Sequence, residues 1–282
     1  MRFRNGFRFA REVWQGFTGR NGFLLAAAVS FYTFLSLFPL LLVAVGILGY
    51  ILRSPEHAEA ILTHFLGRVV IGTVAIDIVT SVLQGREAAT GIGIVLLLWA
   101  GMAAALMLEQ AVNLVWDSPL RQGYFKRRAV ALLVLILVGA LITVSFGITA
   151  LVHIVRQLSP SYVSSLSVVW KLLGHLVAAL ASVGLFTMVY KILPTTRAPL
   201  RVALAGGLFS GILWEIAKQI FTFYVVHFAA YSRVYGPLAG VMLLLIWINY
   251  SSVIAILGAG FASHCHAKYR DNQRLTDNSK PK

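Results

Sequence analysis

The stretch Arg201 to His227, RVALAGGLFSGILWEIAKQIFTFYVVH, limits the possible folds more than any other part of the chain. It is apolar and long enough to cross a bilayer, yet it carries Glu215 and Lys218 in its middle. Wound at about 100° per residue, Gly207, Gly211, Glu215, Lys218 and Thr222 share one arc roughly 80° wide. Leu208, Ile212, Phe221, Tyr224 and Val225 mostly spread elsewhere. The segment reads as a helix with a polar, small-residue seam. A charge at bilayer depth costs about 3 kcal/mol or more unless it meets protein or water, so the seam should face a bundle interior.

The rest of the chain supplies that bundle. Of 282 residues, 59% are hydrophobic and 12% charged, a balance that excludes an ordinary soluble domain and marks an integral membrane protein. The single Cys265 excludes an intramolecular disulfide framework. The expected fold is all-α, with six transmembrane helices and amphipathic surface helices at the N-terminus and in the first extracytoplasmic loop. Residues 1–23 interleave Arg2, Arg4, Arg8, Arg11 and Arg20 with Phe3, Phe7, Ala10, Trp14 and Phe17. This is the pattern of a basic amphipathic helix on a membrane surface, with a loose basic tail as the alternative. A membrane domain over 24–265 follows, and residues 266–282 form a basic, polar tail expected to be disordered at its end.

Spans are expected at about 24–52, 91–116, 129–155, 166–193, 202–227 and 238–262. In the first, Ser30, Thr33 and Ser36 recur every three residues and Pro39 should bend the helix, as packing or as a hinge. The insert 53–90 has no clean apolar run and reads as amphipathic helices outside or skimming the hydrocarbon. His57 and His64 lie seven apart there, but with no third ligand they read as solvated histidines. The second span carries Glu109 and Asn113. Glu109 sits near its end, where an interfacial carboxylate reaching headgroups or water is expected, with a place in a polar groove as the alternative. Gly139, Thr143, Gly147 and Ala150 make the third span a close-packing seam. The fourth places Lys171, His175, Ser182 and Phe186 on one arc. Lys171 can snorkel, whereas His175 lies deeper, as a packing residue or a proton carrier. Gly236 and Pro237 mark the loop before the sixth span, on which Asn249 and Ser252 lie near the middle.

Charge placement sets the orientation. With both termini inside, the cytoplasmic segments hold 17 of the 24 Lys and Arg, the outer segments five, and Lys171 and Lys218 lie in spans. That asymmetry fits the positive-inside rule and a bacterial inner-membrane, multi-pass topology. It also absorbs most of the net charge of +14, so nucleic acid is not the expected partner.

The runs AAAVSFYTFLSLFPLLL, NLVWDSPLRQGYFKRR and, above all, LPTTRAPLRVALAGGLFSGILWEIAKQIFTFYVVHFAAYSRVYGPLAGVMLLLIWINYSSVIAILGAGFASH resemble the YihY/virulence factor BrkB family of bacterial inner-membrane proteins. The likeness spans nearly the whole chain. It implies six helices with a helical extracytoplasmic excursion after the first. Members have carried a ribonuclease BN label widely regarded as misassigned, and some are linked to serum resistance or envelope lipid export. Where members often show Leu-Gly-Ala-Glu at the end of the sixth span, this chain has Leu257, Gly258, Ala259 and Gly260, so a role of that glutamate does not carry over.

The residues favour transport over catalysis. The cytoplasmic acids Glu12, Asp117, Asp271 and Asp277 are scattered, and His264, Cys265 and His266 lack a scaffold for a metal, so no enzyme, cofactor or metal site is expected. Glu215, Lys218, Thr222, Lys171, His175, Asn249, Ser252, Glu109 and Asn113 could line one translocation groove, with Pro39, Gly207, Gly211, Gly236 and Pro237 as hinge or packing positions. Such a groove suits a lipid-like or amphipathic envelope molecule. The alternative is a non-catalytic scaffold in which Glu215 and Lys218 form a structural pair. Membrane lipids and envelope-assembly proteins are the expected partners.

Overall fold

The computed structural model describes residues 2–52, 86–119, 123, 125–134, 136, 167–196, 198–227 and 238–278. The expectations for most of the insert 53–90 with His57 and His64, for the third span beyond residue 136, and for Gly236 and Pro237 lie outside these residues. All regular elements among the described residues are helical: α1 (Arg2–Gly19), α2 (Gly22–Leu52), α3 (Arg86–Val115), α4 (residues 125–134), α5 (Ser167–Ile192), α6 (Leu200–His227) and α7 (Leu238–Asn278). By length and composition Ile94–Val115, Leu200–Val225 and Leu238–Asp271 can each cross a membrane, and Gly22–Leu37 and Leu176–Ile192 are shorter apolar helices.

The chain forms two compact units. The first comprises Met1–Leu25, Glu109–Ala217 and Val253–Lys282, and the second Ala26–Leu108 and Lys218–Ser252. Within the first, α5, α6 and α7 pack through small residues. A Cβ on Gly207 would lie 2.8 Å from the Thr187 amide nitrogen and the Val183 carbonyl oxygen, and one on Gly211 would meet Val183. On the α7 side, a Cβ on Gly206 would lie 2.7 Å from the Ala262 methyl and 2.9 Å from the Tyr190 ring. Lipid is as apolar as leucine, so helices gain little from hydrophobic association there. Close backbone approach and dispersion hold them, which is why the seam is built of glycine, alanine and serine.

The remaining contacts of this unit gather near the chain reversals. The α1–α2 break is made by Asn21, whose φ of 55° closes α1 while its carbonyl accepts the Leu25 N–H at 3.0 Å. The sequence predicts an apolar α1 face through Trp14 and Phe17. Phe17 is buried, but Trp14 is half exposed. The buried row is Phe9, Val13 and Phe17, with Phe9 partly covered; its ring meets Phe261 edge-on at 5.3 Å and His264 at 5.8 Å. Glu12 adds a 3.7 Å contact to the His264 imidazole. Spacing of four puts these residues on one helix face, which meets α7 at Phe9 and sets Phe17 against Phe23 at the start of α2.

α7 also differs from expectation. Its 41 residues amount to about 60 Å of helix, roughly twice the hydrocarbon thickness, and the helix continues to Asn278 through the first part of the stretch read as a polar tail. In the second unit, Phe221 packs on Trp247 with ring centroids 4.7 Å apart, and α2 stays helical through the buried Pro39.

The seam predicts an asymmetric response to adding side chains. Gly207→Val should destabilise the protein by about 1–3 kcal/mol, because α5 backbone cannot yield as a flexible side chain would. Gly184→Ala should be tolerated, since no atom lies within 4 Å of its added methyl. Thermal aggregation midpoints in detergent should fall by several degrees for the first and not for the second.

Candidate functional site

The sequence-predicted polar residues fall into three settings. At the C-terminal end of α3, Glu109 is only 1% exposed, and its Oε2 lies 3.5 Å from the Arg127 Nε on α4. This corrects the expectation of a carboxylate reaching headgroups or water: the following turn folds back and places Arg127 against it. Asn113, one helical turn on, is fully buried. Its Nδ2 donates to the carbonyls of Glu109 at 2.9 Å and Leu193 at 3.2 Å, and its Oδ1 accepts the Thr195 N–H at 2.8 Å. A single amide thus holds the α5–α6 turn.

Neighbouring contacts fasten the same end. The Asp117 N–H donates to Leu114 O and the Ser118 N–H to Asn113 O, a left-handed helix cap made with Asp117 at φ 47° in the place glycine usually takes. Asp117 pairs with Arg20, Ser118 Oγ lies 3.1 Å from Thr196 Oγ1, and Lys191 donates to the Ala198 carbonyl at 2.6 Å. Asn113 therefore serves the turn, while the Glu109 carboxylate lies buried beside Arg127.

The second setting is α6 and its neighbours. Glu215 is half-buried, and its Oε1 lies 3.5 Å from the Ser182 Oγ on α5. It stands fifteen residues beyond Leu200, so it is about 22 Å along α6 from the pinned turn. Between the two levels lies a contact that the sequence reading missed. Tyr190 is fully buried, with its hydroxyl 2.8 Å from the Ala255 carbonyl and 2.7 Å from Ser210 Oγ. A carbonyl only accepts, so the phenol proton goes to Ala255 and Ser210 donates to the phenol oxygen. The sequence signal for it was the small-residue row Gly206, Ser210 on α6 facing a tyrosine four residues beyond Phe186 on α5. Lys171 and His175 lie on α5, but their side chains fall outside the described residues.

The third setting is the second unit. Thr222 is exposed and donates to the Lys218 carbonyl at 2.8 Å, while Lys218 is half-buried. Asn249 is half-buried and donates to Ser30 Oγ at 3.3 Å, and Ser252 is buried and donates to the Ile248 carbonyl at 2.9 Å. Ser30, Thr33 and Ser36 likewise donate to carbonyls of α2 itself. The stripe on the first span is thus satisfied within its own helix, and Ser30 additionally accepts from Asn249.

The comparisons with known proteins agree with the membrane architecture. The family model described as Virulence factor BrkB matches residues 13–282. The chain is 30% identical over 246 residues to the UPF0761 membrane protein RSc1559 of Ralstonia nicotianae, covering 85% of this chain but 54% of that protein, so it spans about half of that relative's length. It is 25% identical to the UPF0761 membrane protein NTHI0384 of Haemophilus influenzae, over 90% of this chain and 94% of that one. It is 24% identical to a protein of Bacillus subtilis named as ribonuclease-like, YfkH, over 92% and 96% of the two chains. No solved structure matches.

The two buried amide and phenol contacts predict measurable losses. Asn113→Ala removes three hydrogen bonds and strands two backbone groups of the α5–α6 turn, and should cost about 2–4 kcal/mol. Tyr190→Phe keeps the ring and should cost about 1–3 kcal/mol by leaving Ala255 O and Ser210 without the phenol. Both would be read as lowered thermal aggregation midpoints, with Asn113→Ala the larger.

Proposed function

The chain belongs to the virulence factor BrkB family, and on that footing we propose that it moves a lipid-like or amphipathic envelope molecule from the bacterial inner membrane. The proposed topology has six spans with both termini in the cytoplasm, following the bias of Lys and Arg. The observation that carries the reading is Glu215. It is a half-buried carboxylate deep in an apolar helix, with a hydroxyl on the adjacent helix and the Gly207–Gly211 seam leading to it. A carboxylate kept at that depth without full burial suits a surface that water or a polar headgroup visits. The working face would therefore centre on Glu215 and Ser182.

A scaffold remains the second reading, and the α3 end favours it. Of the nine residues assigned to a groove, Asn113 holds a turn and Glu109 is buried against Arg127. Ribonuclease activity is not proposed. That word belongs to the name of the Bacillus subtilis relative, and the acids of this chain's cytoplasmic segments are dispersed along the sequence.

Thiol accessibility separates the readings. In a Cys265→Ser background, single cysteines at Glu215, Thr222 and Asn249 are labelled in intact cells and inverted vesicles with a membrane-impermeant reagent. Ser210→Cys serves as the sealed control, because that side chain is fully buried. Gly211 is unsuitable, since a Cβ there meets Val183. Labelling at Glu215→Cys and a neighbouring site, with Ser210→Cys silent, is expected for transport. Silence at all sites from both faces would favour a scaffold.

A further inference from the structure

With one face of α1 buried against protein, a second face of the same helix is left carrying both cations and an aromatic ring. Arg8, Arg11 and Trp14 follow one another at spacings of three, on the side of the helix opposite the buried Val13, and all three are exposed. Residues three apart on a helix are surface neighbours, so the two guanidinium groups can reach one small anion together. The acid nearest to them on α1, Glu12, approaches the His264 imidazole of α7 at 3.7 Å. Among the described residues of α1, this face therefore offers cations and no carboxylate.

Trp14 is held in place at one end of that row. Its ring stacks on the buried Phe17 with centroids 5.9 Å apart and meets Phe23 edge-on at 5.9 Å, and Phe23 in turn meets Phe17 at 5.0 Å. Three rings from α1 and the first turn of α2 thus make one cluster. Phe17 is covered, while Trp14 and Phe23 are 49% and 52% exposed, and Leu24 beside them is 69% exposed. Rings already fixed by their neighbours lose little rotamer freedom when a ligand covers them. The cationic row and the apolar corner meet at Trp14, whose indole has the amphipathic character that membrane interfaces favour.

We propose that the α1–α2 corner is a binding site for a lipid with a net negative phosphate headgroup, with the phosphate on Arg8 and Arg11 and the top of an acyl chain over Trp14, Phe23 and Leu24. Guanidinium groups match phosphate oxygens in charge and in donor geometry. A free phosphate would leave the apolar corner in water, which commits the site to a lipid. A zwitterionic headgroup would bring an ammonium beside two arginines, with no carboxylate on this face to receive it. Phosphatidylglycerol brings only the charge that the row complements. Arg20 adds nothing to the row, because it pairs with Asp117. The site does not depend on the transport reading, since a scaffold would hold the same lipid.

The test uses the full-length protein in phosphatidylcholine nanodiscs with a minor fraction of lipid brominated near the top of its acyl chains, either phosphatidylglycerol or phosphatidylcholine. Trp14 emission is the difference between the wild type and Trp14→Phe. Bromine quenches on contact and two cations enrich anionic lipid beside them, so brominated phosphatidylglycerol should quench Trp14 about threefold more strongly than brominated phosphatidylcholine. Arg8→Gln combined with Arg11→Gln should remove that excess and leave the phosphatidylcholine quenching. Lys268→Gln combined with Arg270→Gln removes the same charge from exposed positions on α7 and should leave the excess in place. Equal quenching by the two lipids overturns the proposal, and quenching by neither overturns it in favour of a protein partner on this corner. Loss of the excess in both double variants also overturns it, because a diffuse positive field would then suffice. Displacement of brominated phosphatidylglycerol by soluble glycerol phosphate would overturn the assignment to a lipid. Should the arginine double variant fail to fold, Arg11→Gln is read alone: a reduced excess supports the site and an unchanged one overturns it.

Discussion

The approach of α5, α6 and α7 to backbone contact is the constraint on which the first unit depends. In lipid, separated helices bury no apolar surface from water, so the bundle must be held by atoms that touch closely. Gly206, Gly207 and Gly258 permit that approach, and the Tyr190 hydroxyl converts it into a register. Sliding any one helix by a residue moves it about 1.5 Å along its axis, enough to break a hydrogen bond of 2.7 or 2.8 Å. The order of donors, Ser210 to Tyr190 to Ala255, also leaves no polar hydrogen of the trio unspent. A glycine seam alone would allow several registers. With the phenol, one is preferred.

The same unit treats two carboxylates in opposite ways. Glu109 is sealed beside Arg127, on a helix end fixed by the Asn113 amide, the Asp117 cap and the Lys191 contact to Ala198. Its burial is offset by a cation and its position cannot change without undoing the turn. Glu215 lies 3.5 Å from the Ser182 hydroxyl on α5, and its side chain is half-buried. Burial and partner, not residue type, set the two carboxylates apart.

Much of this was legible from the residues. The apolar runs marked α3, α6 and α7, and the small-residue spacing marked Gly207 and Gly211 as packing positions. The quoted runs identified the family. Glu109 misled because its place near the end of a span is where an interfacial carboxylate belongs. Only the reversal after Asp117 brings Arg127, eighteen residues away, onto it. That reversal was itself masked, since a left-handed helix cap is usually signalled by glycine and here is made by aspartate. The Tyr190 contact was hidden for a different reason: helical periodicity places a tyrosine on a face but does not reveal which neighbour presents a free carbonyl. The polar composition of residues 266–278 suggested a tail, yet α7 carries on because residues just before it, Phe261 and His264, are held by α1.

The docking of α1 on α7 bears on orientation. A basic amphipathic helix normally gives its apolar face to the bilayer, but here Phe9, Val13 and Phe17 turn toward protein. What remains outward includes Arg8, Arg11 and the half-exposed Trp14, and α7 adds the exposed Lys268 and Arg270 just beyond His264. The two ends of the chain are thereby joined in one basic region of the first unit, although they are separated by the whole sequence. Both must then lie on the same side of the membrane, which a charge count along the chain treats as two independent votes. Contact between α1 and α7 makes them one.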